Sequence, residues 1–247
     1  MTTALSTEIL QKTDEIVEKL QQRLVPSGWY HRLQGLLTSE DFRNIILTLV
    51  TNSYEGKRFT PVVKDLFKAF ELTSFQDTRV IMVGQDPYPQ LGIANGIAFC
   101  NAYKPDNKME ASLRYITEAV HRTVYNSDED CVLSNDLSRW SKQGVLMLNT
   151  ALTTEVGKIG VHKELWKPFT QHVIDTIANS TTGLVWVFLG KDAQQFADLV
   201  PDTMHEKVFV SHPASAAYAK MKQWDCEDMF NQVNAYLDFM FGRKIVW

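Results

Sequence analysis

The 247-residue chain is 45% hydrophobic and 22% charged, with 12 glycines and 8 prolines; these proportions exclude collagen-like, low-complexity and wholly disordered classes. Twenty-nine acids against 25 bases leave a formal charge of −4, which is not the balance of a protein that coats nucleic acid non-specifically. The three cysteines, Cys100, Cys131 and Cys226, are widely spaced and form no C-x-x-C pair, which argues for reduced thiols and against a structural zinc or iron–sulfur centre.

The first 75 residues read as helical. Ile9, Thr13, Ile16, Val17, Leu20 and Leu24 recur at helical spacing until Pro26-Ser27-Gly28 stops the run. Phe42, Ile45, Ile46, Leu49 and Val50 repeat the pattern, and Pro61 is placed to open a third helix through Leu66, Phe67 and Phe70. From residue 79 the period changes. Apolar, β-branched runs at residues 79–83, 145–148, 184–189 and 207–210 predict four strands buried on both faces, as in a parallel sheet. Helical stripes lie between and after them: residues 113–120, then Leu165, Phe169, Val173 and Ile177, then Met229, Val233, Tyr236, Leu237 and Met240. This alternation predicts an α/β fold. The expectation is a single three-layer domain over residues 1–247, with a central, mostly parallel four-stranded sheet flanked by helices. Residues 1–75 form its helical part and residues 79–247 its α/β part.

Charge is unevenly spread. Acids gather at Asp128, Glu129, Asp130 and Asp136 and again through residues 223–240, while residues 205–222 set Lys207, Lys220 and Lys222 against Glu206 alone. A basic face with acidic flanks is compatible with this pattern. No basic-then-apolar leader opens the chain, and no apolar run is long enough to span a bilayer, so a cytoplasmic location and no membrane partner are expected.

Ligands of open parallel sheets bind beyond the carboxyl ends of the strands. The residues there are Gly84-Gln85-Asp86-Pro87-Tyr88-Pro89, Asn149-Thr150-Ala151-Leu152-Thr153, Gly190-Lys191-Asp192 and Ser211-His212-Pro213. Singly, an Asp beside Pro reads as a turn former, an Asn after a strand as a helix cap and a lone His as a core residue. Together they bring a carboxylate, an amide, an ammonium and an imidazole to one edge. A Ser-His-Asp hydrolase is disfavoured because G-x-S-x-G is missing, and Gly190-Lys191 sits in neither phosphate-binding glycine pattern. The six histidines are scattered without H-E-x-x-H, so neither a metal nor a cofactor is expected.

Gly84-Gln85-Asp86-Pro87-Tyr88 closely resembles the water-activating motif of family 1 uracil-DNA glycosylases. The later pieces follow in the family's order. Asn95-Gly96-Ile97-Ala98-Phe99 is similar to the segment bearing the base-stacking phenylalanine, residues 146–153 to the uracil-reading strand, and Ser211-His212-Pro213 to the start of the DNA-intercalating loop. The resemblance runs from about Gly28-Trp29 and takes in His162-Lys163-Glu164. It implies a monomer that acts on uracil-containing DNA, single- or double-stranded, and releases uracil to leave an abasic site. Partners of the implied kind are a protein inhibitor that mimics uracil or DNA, and a replication protein. The implied location is a nucleoid, or the host cytoplasm or nucleus if the source is viral. The competing reading is a weakly catalytic DNA-binding or processivity subunit of a replication complex.

The resemblance also implies roles. Asp86 orients the attacking water and favours a cationic sugar, and His212, as a neutral imidazole, donates to uracil O2. The Asn149 amide matches uracil O4 and N3–H, Phe99 stacks on the base, and Tyr88 occupies the space a 5-methyl group needs. Gln85 completes the uracil pocket. DNA contacts fall to Pro89, Ser112, Gly190, Lys191, Pro213, Ala214 and Ser215, where a solvated lysine and helix caps are the plainer alternatives for Lys191, Ser112 and Ser215.

Three departures stand out. Pro89 replaces the histidine usual after the motif tyrosine, and the proline-rich clamp is degraded across residues 104–112, keeping Pro105 and Ser112. The terminal loop is shortened: only Ala214, Ser215, Ala216 and Ala217 separate Pro213 from Tyr218, and the family's wedge leucine has no counterpart. Pro89 and this Ala-rich loop are similar to the poxviral branch of the family. Residues this small cannot fill the gap a flipped base leaves, which predicts a single-strand preference above the family norm. Tyr218, Met221 and Trp224 read as core contacts of the following helix, with intrusion into the duplex as the alternative.

Overall fold

The computed structural model describes residues 3–101, 109–126 and 134–247. Cys131, the acids Asp128, Glu129 and Asp130, and residues 104–108 of the degraded clamp lie outside that set. Among the described residues, no helix is long and apolar enough to cross a membrane.

Helix α1 (Thr3–Arg23) ends just ahead of the Pro26-Ser27-Gly28 stop. Helix α2 (Trp29–Leu37), not anticipated from the sequence, buries Trp29, Leu33, Leu36 and Leu37. Helix α3 (Glu40–Tyr54) is capped by the Ser39 hydroxyl, which accepts from the Phe42 N–H, and carries Glu40 and Asp41 in its first turn, where the helix dipole favours acids. The third helix expected from Pro61 is broken. Phe59 and Thr60 form a short strand, β1 (Phe59–Thr60), which holds the chain extended into Pro61; a 3-10 turn at Val63–Asp65 and helix α4 (Lys68–Leu72) follow. Leu66, Phe67 and Phe70 are buried all the same.

The strands arise where the apolar runs predict them: β2 (Val80–Gly84), β3 (Val145–Asn149), β5 (Val185–Leu189) and β6 (Glu206–Val210) form a fully parallel sheet in the order β3-β2-β5-β6. The short β4 (Thr154–Glu155) pairs antiparallel with β1. Side chains alternate across the sheet. Ile81, Val83, Leu146, Leu148, Trp186 and Phe188 face one core with α1 to α4 and helix α7 (Lys163–Ser180). Val80, Met82, Val145, Met147, Val185 and Val187 face a second core. That core is covered by helices α5 (Ala111–Thr123), α6 (Ser138–Ser141) and α10 (Met229–Phe241). This is the expected three-layer α/β arrangement. One strand departs from the expectation of two buried faces: on β6, at one edge of the sheet, Glu206 and Phe209 are exposed.

The order places the site. From β2 the chain moves outward to β3, then returns to the other side of β2 for β5, so β2 lies at the switch point where open sheets leave a crevice. Two short helices open directly beyond the strands: α8 (Lys191–Gln194) after β5 and α9 (Pro213–Tyr218) after β6.

Candidate active site

The β2–β3 pairing continues past the strand ends: Thr150 N–H donates to Gly84 O, Ala151 N–H to Gln85 O, and the Thr150 hydroxyl to Gln85 O at 2.7 Å. These bonds hold the Gln85-Asp86 turn at the crevice. Beyond it lies a cavity of about 370 Å³, lined by Gln85, Asp86, Tyr88, Pro89, Phe99, Ser112, Asn149, His212, Ala214 and Ser215 among others. A volume of this size matches small-ligand sites. Ten sequence-predicted site residues therefore meet in one place.

Asp86 is half-buried, and its Oδ2 accepts from Gly160 N–H at 2.6 Å. Burial raises its carboxyl above the ordinary carboxylate range; the Gly160 bond and the Lys163 ammonium oppose that rise, and the Asp192 carboxylate adds to it. Gly160 O in turn accepts from the Lys163 N–H at 3.3 Å, and a buried chain fixes the start of α7: the Trp166 indole donates to the Thr153 hydroxyl at 2.7 Å, and that hydroxyl meets His162 Nδ1 at 2.9 Å.

His212 caps α9. Its Nδ1 accepts from Ala214 N–H at 3.1 Å, so the ring proton sits on Nε2, leaving that nitrogen a donor. Burial lowers its pKa to about 4, so the imidazole is neutral at physiological pH. Its ring centroid lies 5.7 Å from that of Phe99. Phe99 has a left-handed backbone, φ 63°, a conformation aromatic residues rarely adopt. The Tyr88 hydroxyl donates to its carbonyl at 2.9 Å.

Two glycines make room for this cluster. A Cβ on Gly84 would stand 2.7 Å from Asn149 Oδ1 and 2.8 Å from Phe99 Cζ, and one on Gly190 would stand 2.7 Å from His212 Cβ. Any side chain at either position displaces a functional group.

The remaining sequence-predicted residues are placed differently. Gly190 is buried against His212 and Pro213 is buried at the first turn of α9, so neither forms a surface, whereas Lys191 is exposed at the start of α8. Gln85 borders the cavity, but its amide engages an ion pair: in the orientation that satisfies both ends, its nitrogen donates to Asp192 Oδ2 at 3.2 Å and its oxygen accepts from Lys163 Nζ at 3.2 Å. The expectation that Tyr218, Met221 and Trp224 pack in the core holds only for Trp224. Tyr218 is 77% exposed, on the rim of the cavity, and Met221 is 50% exposed. Helix α9 ends at Tyr218, so no following turn covers it. Gly160 carries no signal in the sequence, and Asp192 stands out there only as the residue after Gly190-Lys191 at a strand end.

Residues 70–238 match the model of the uracil DNA glycosylase superfamily. A uracil-DNA glycosylase of Blochmanniella floridana is 32% identical over 83% of this chain and 91% of its own length. That of Borrelia turicatae is 30% identical over 86% of this chain and 93% of its own length. Among solved structures, the mimivirus uracil-DNA glycosylase superposes with a TM-score of 0.80 at 22% identity, covering 90% of this chain and 86% of that one. A mimivirus UNG variant in complex with UGI gives 0.78 at 22% identity, covering 88% and 86%.

Proposed function

The chain belongs to the uracil-DNA glycosylase superfamily and removes uracil from DNA; on that premise we propose that the cavity beyond β2 holds the flipped nucleotide, with Asp86 and His212 carrying the reaction. The observation that supports this reading is that Asp86, Tyr88, Phe99, Asn149 and His212 all line one small cavity. Breaking the N-glycosidic bond sends its electron pair to the uracil ring and leaves the sugar cationic at C1′. The Asp86 carboxylate favours that cation and takes the proton of the water that adds to C1′. The Nε2–H of His212 donates to uracil O2, where negative charge gathers. Phe99 stacks on the base, and the Asn149 amide pairs with O4 and N3–H. Incubation with a uracil-containing oligonucleotide, followed by alkali cleavage at abasic sites, tests this; an intact strand from the wild-type protein would refute it. A weakly catalytic DNA-binding subunit is less well supported, because such a role does not require this set of side chains.

Tyr88 reads the base by shape. Its hydroxyl is anchored to the Phe99 carbonyl, so the ring is a fixed wall. A missing methyl contact alone discriminates weakly, so a wall is what excludes thymine. Tyr88→Ala is expected to release thymine from thymine-containing DNA while still excising uracil. A variant that excises uracil and leaves thymine untouched would remove that role from Tyr88.

The exposed ring of Tyr218 is suited to fill the gap left in a duplex, which Ala214, Ser215, Ala216 and Ala217 cannot do. Lys220 and Lys222, exposed just beyond it, suit phosphates. With Tyr218 in place, the single-strand preference expected from the small loop residues becomes a property of Tyr218→Ala. Stacking one base on an aromatic ring is worth about 1–3 kcal/mol, so duplex excision by that variant is expected to fall roughly fivefold or more relative to single-stranded excision. Equal losses on the two substrates would show that Tyr218 does not enter the stack. A protein inhibitor that mimics DNA or uracil suits the same rim and cavity, and the UGI complex of the mimivirus variant supports that partner class.

A further inference from the structure

Beside Asp86 lies an ionic device that the reaction as described does not use. Lys163 Nζ, on the first turn of α7, pairs with Asp192 Oδ2 on α8 at 2.9 Å, and both groups are about one-third exposed. The Gln85 amide spans the pair. Lys163 also packs over the residue that holds the catalytic carboxylate: a Cβ on Gly160 would lie 3.0 Å from Lys163 Cε and 3.4 Å from its Nζ, and Gly160 N–H is the donor to Asp86 Oδ2. Three segments from separate parts of the chain thus converge on one carboxylate: the turn after β2, the start of α7 and the start of α8.

We propose that Asp192 is a positioning residue for uracil excision, holding the Lys163 ammonium over Gly160 and the Gln85 amide at the cavity edge so that the charge beside Asp86 is set by a balanced pair. The inference rests on Asp86 being the residue that activates water. An unpaired lysine there would act on Asp86 with no opposing charge, and an unpaired carboxylate would oppose both Asp86 and the DNA. Among the titratable groups around Asp86, Lys163 and Asp192 act on it with opposite sign. Burial disfavours the charged forms of His162 ahead of α7, His212 at α9 and Tyr88 on its own loop.

The test is the pH dependence of single-turnover excision by the full-length protein. Neutralising Asp192 (Asp192→Asn) removes a charge that keeps Asp86 protonated, so the acid limb moves to lower pH; His212, on which Asp192 also acts, shifts the same way. Relative rates on that limb are expected to rise about two- to fivefold, the effect of a solvent-screened unit charge near the titrating group. Lys163→Gln is expected to move the limb the opposite way by a similar factor, and the double variant to return it close to wild type. Limbs that stay in place, or that move in the same direction in both single variants, would overturn the proposal and leave the pair a structural tie. Asp86→Asn in the same series separates the two levels. A near-wild-type rate in that variant refutes the role of Asp86, whereas a severe loss with unmoved limbs in the pair variants refutes the role of Asp192 alone.

Discussion

Asp86→Asn is expected to lower the single-turnover rate of uracil release by about 10² to 10⁴, the usual cost of losing a positioned base, without unfolding the chain. The substitution suits the question because an asparagine oxygen can still accept the Gly160 N–H that now meets Oδ2 at 2.6 Å. What disappears is the negative charge and the capacity to take a proton from water. The pH dependence follows from the same group. Burial raises the Asp86 carboxyl above the ordinary range, so its ionised form, the one the reaction uses, is lost as pH falls through that raised value. Activity is therefore expected to be level through neutrality and to fall on the acid side. In Asp86→Asn the residual rate is expected to lack that Asp86-linked fall. A variant that keeps both the wild-type rate and the wild-type acid limb would move the base elsewhere.

His212→Ala is expected to cost about 10² to 10³ in the same measurement, the scale for one donor aimed at developing charge. The donor here is specific. Ala214 N–H occupies Nδ1, so Nε2 carries the proton and faces the site as a neutral group. With a pKa of about 4, the imidazole takes up a proton only in acid, and a second proton would collide with the Ala214 N–H. The uracil leaving group is thus stabilised by hydrogen bonding from a neutral ring, and no histidine limb is expected near pH 6.5. A wild-type profile that rises as pH drops through 6 to 7 would point to an imidazolium donor instead.

The sheet was legible because its four strands are short, β-branched and buried enough to read as continuous apolar runs, and the polar set at their ends reads directly as a site. What stayed hidden has physical reasons. Helix α2 carries Trp29, Leu33, Leu36 and Leu37 at helical spacing, a signal present in the sequence but masked by the Pro-Ser-Gly stop immediately before it. The break after Pro61 depends on β1 pairing with residues almost a hundred positions away, which no local pattern reports. Gly160 and Asp192 act through a backbone N–H and an ion pair between segments distant in sequence, and both depend on tertiary approach. Tyr218 was misread because aromatic spacing ahead of a helix usually means core; its exposure follows from α9 stopping at that residue.

The most direct measurement uses two end-labelled oligonucleotides that differ only in carrying uracil or thymine at one position, with wild-type protein and Asp86→Asn under single-turnover conditions, followed by alkali. The expected result is rapid cleavage at uracil by the wild type, none at thymine, and a loss of at least about a hundredfold in the variant. Cleavage at uracil that is equally fast in both proteins, or cleavage by neither, would contradict the assignment of this cavity as the site of uracil excision.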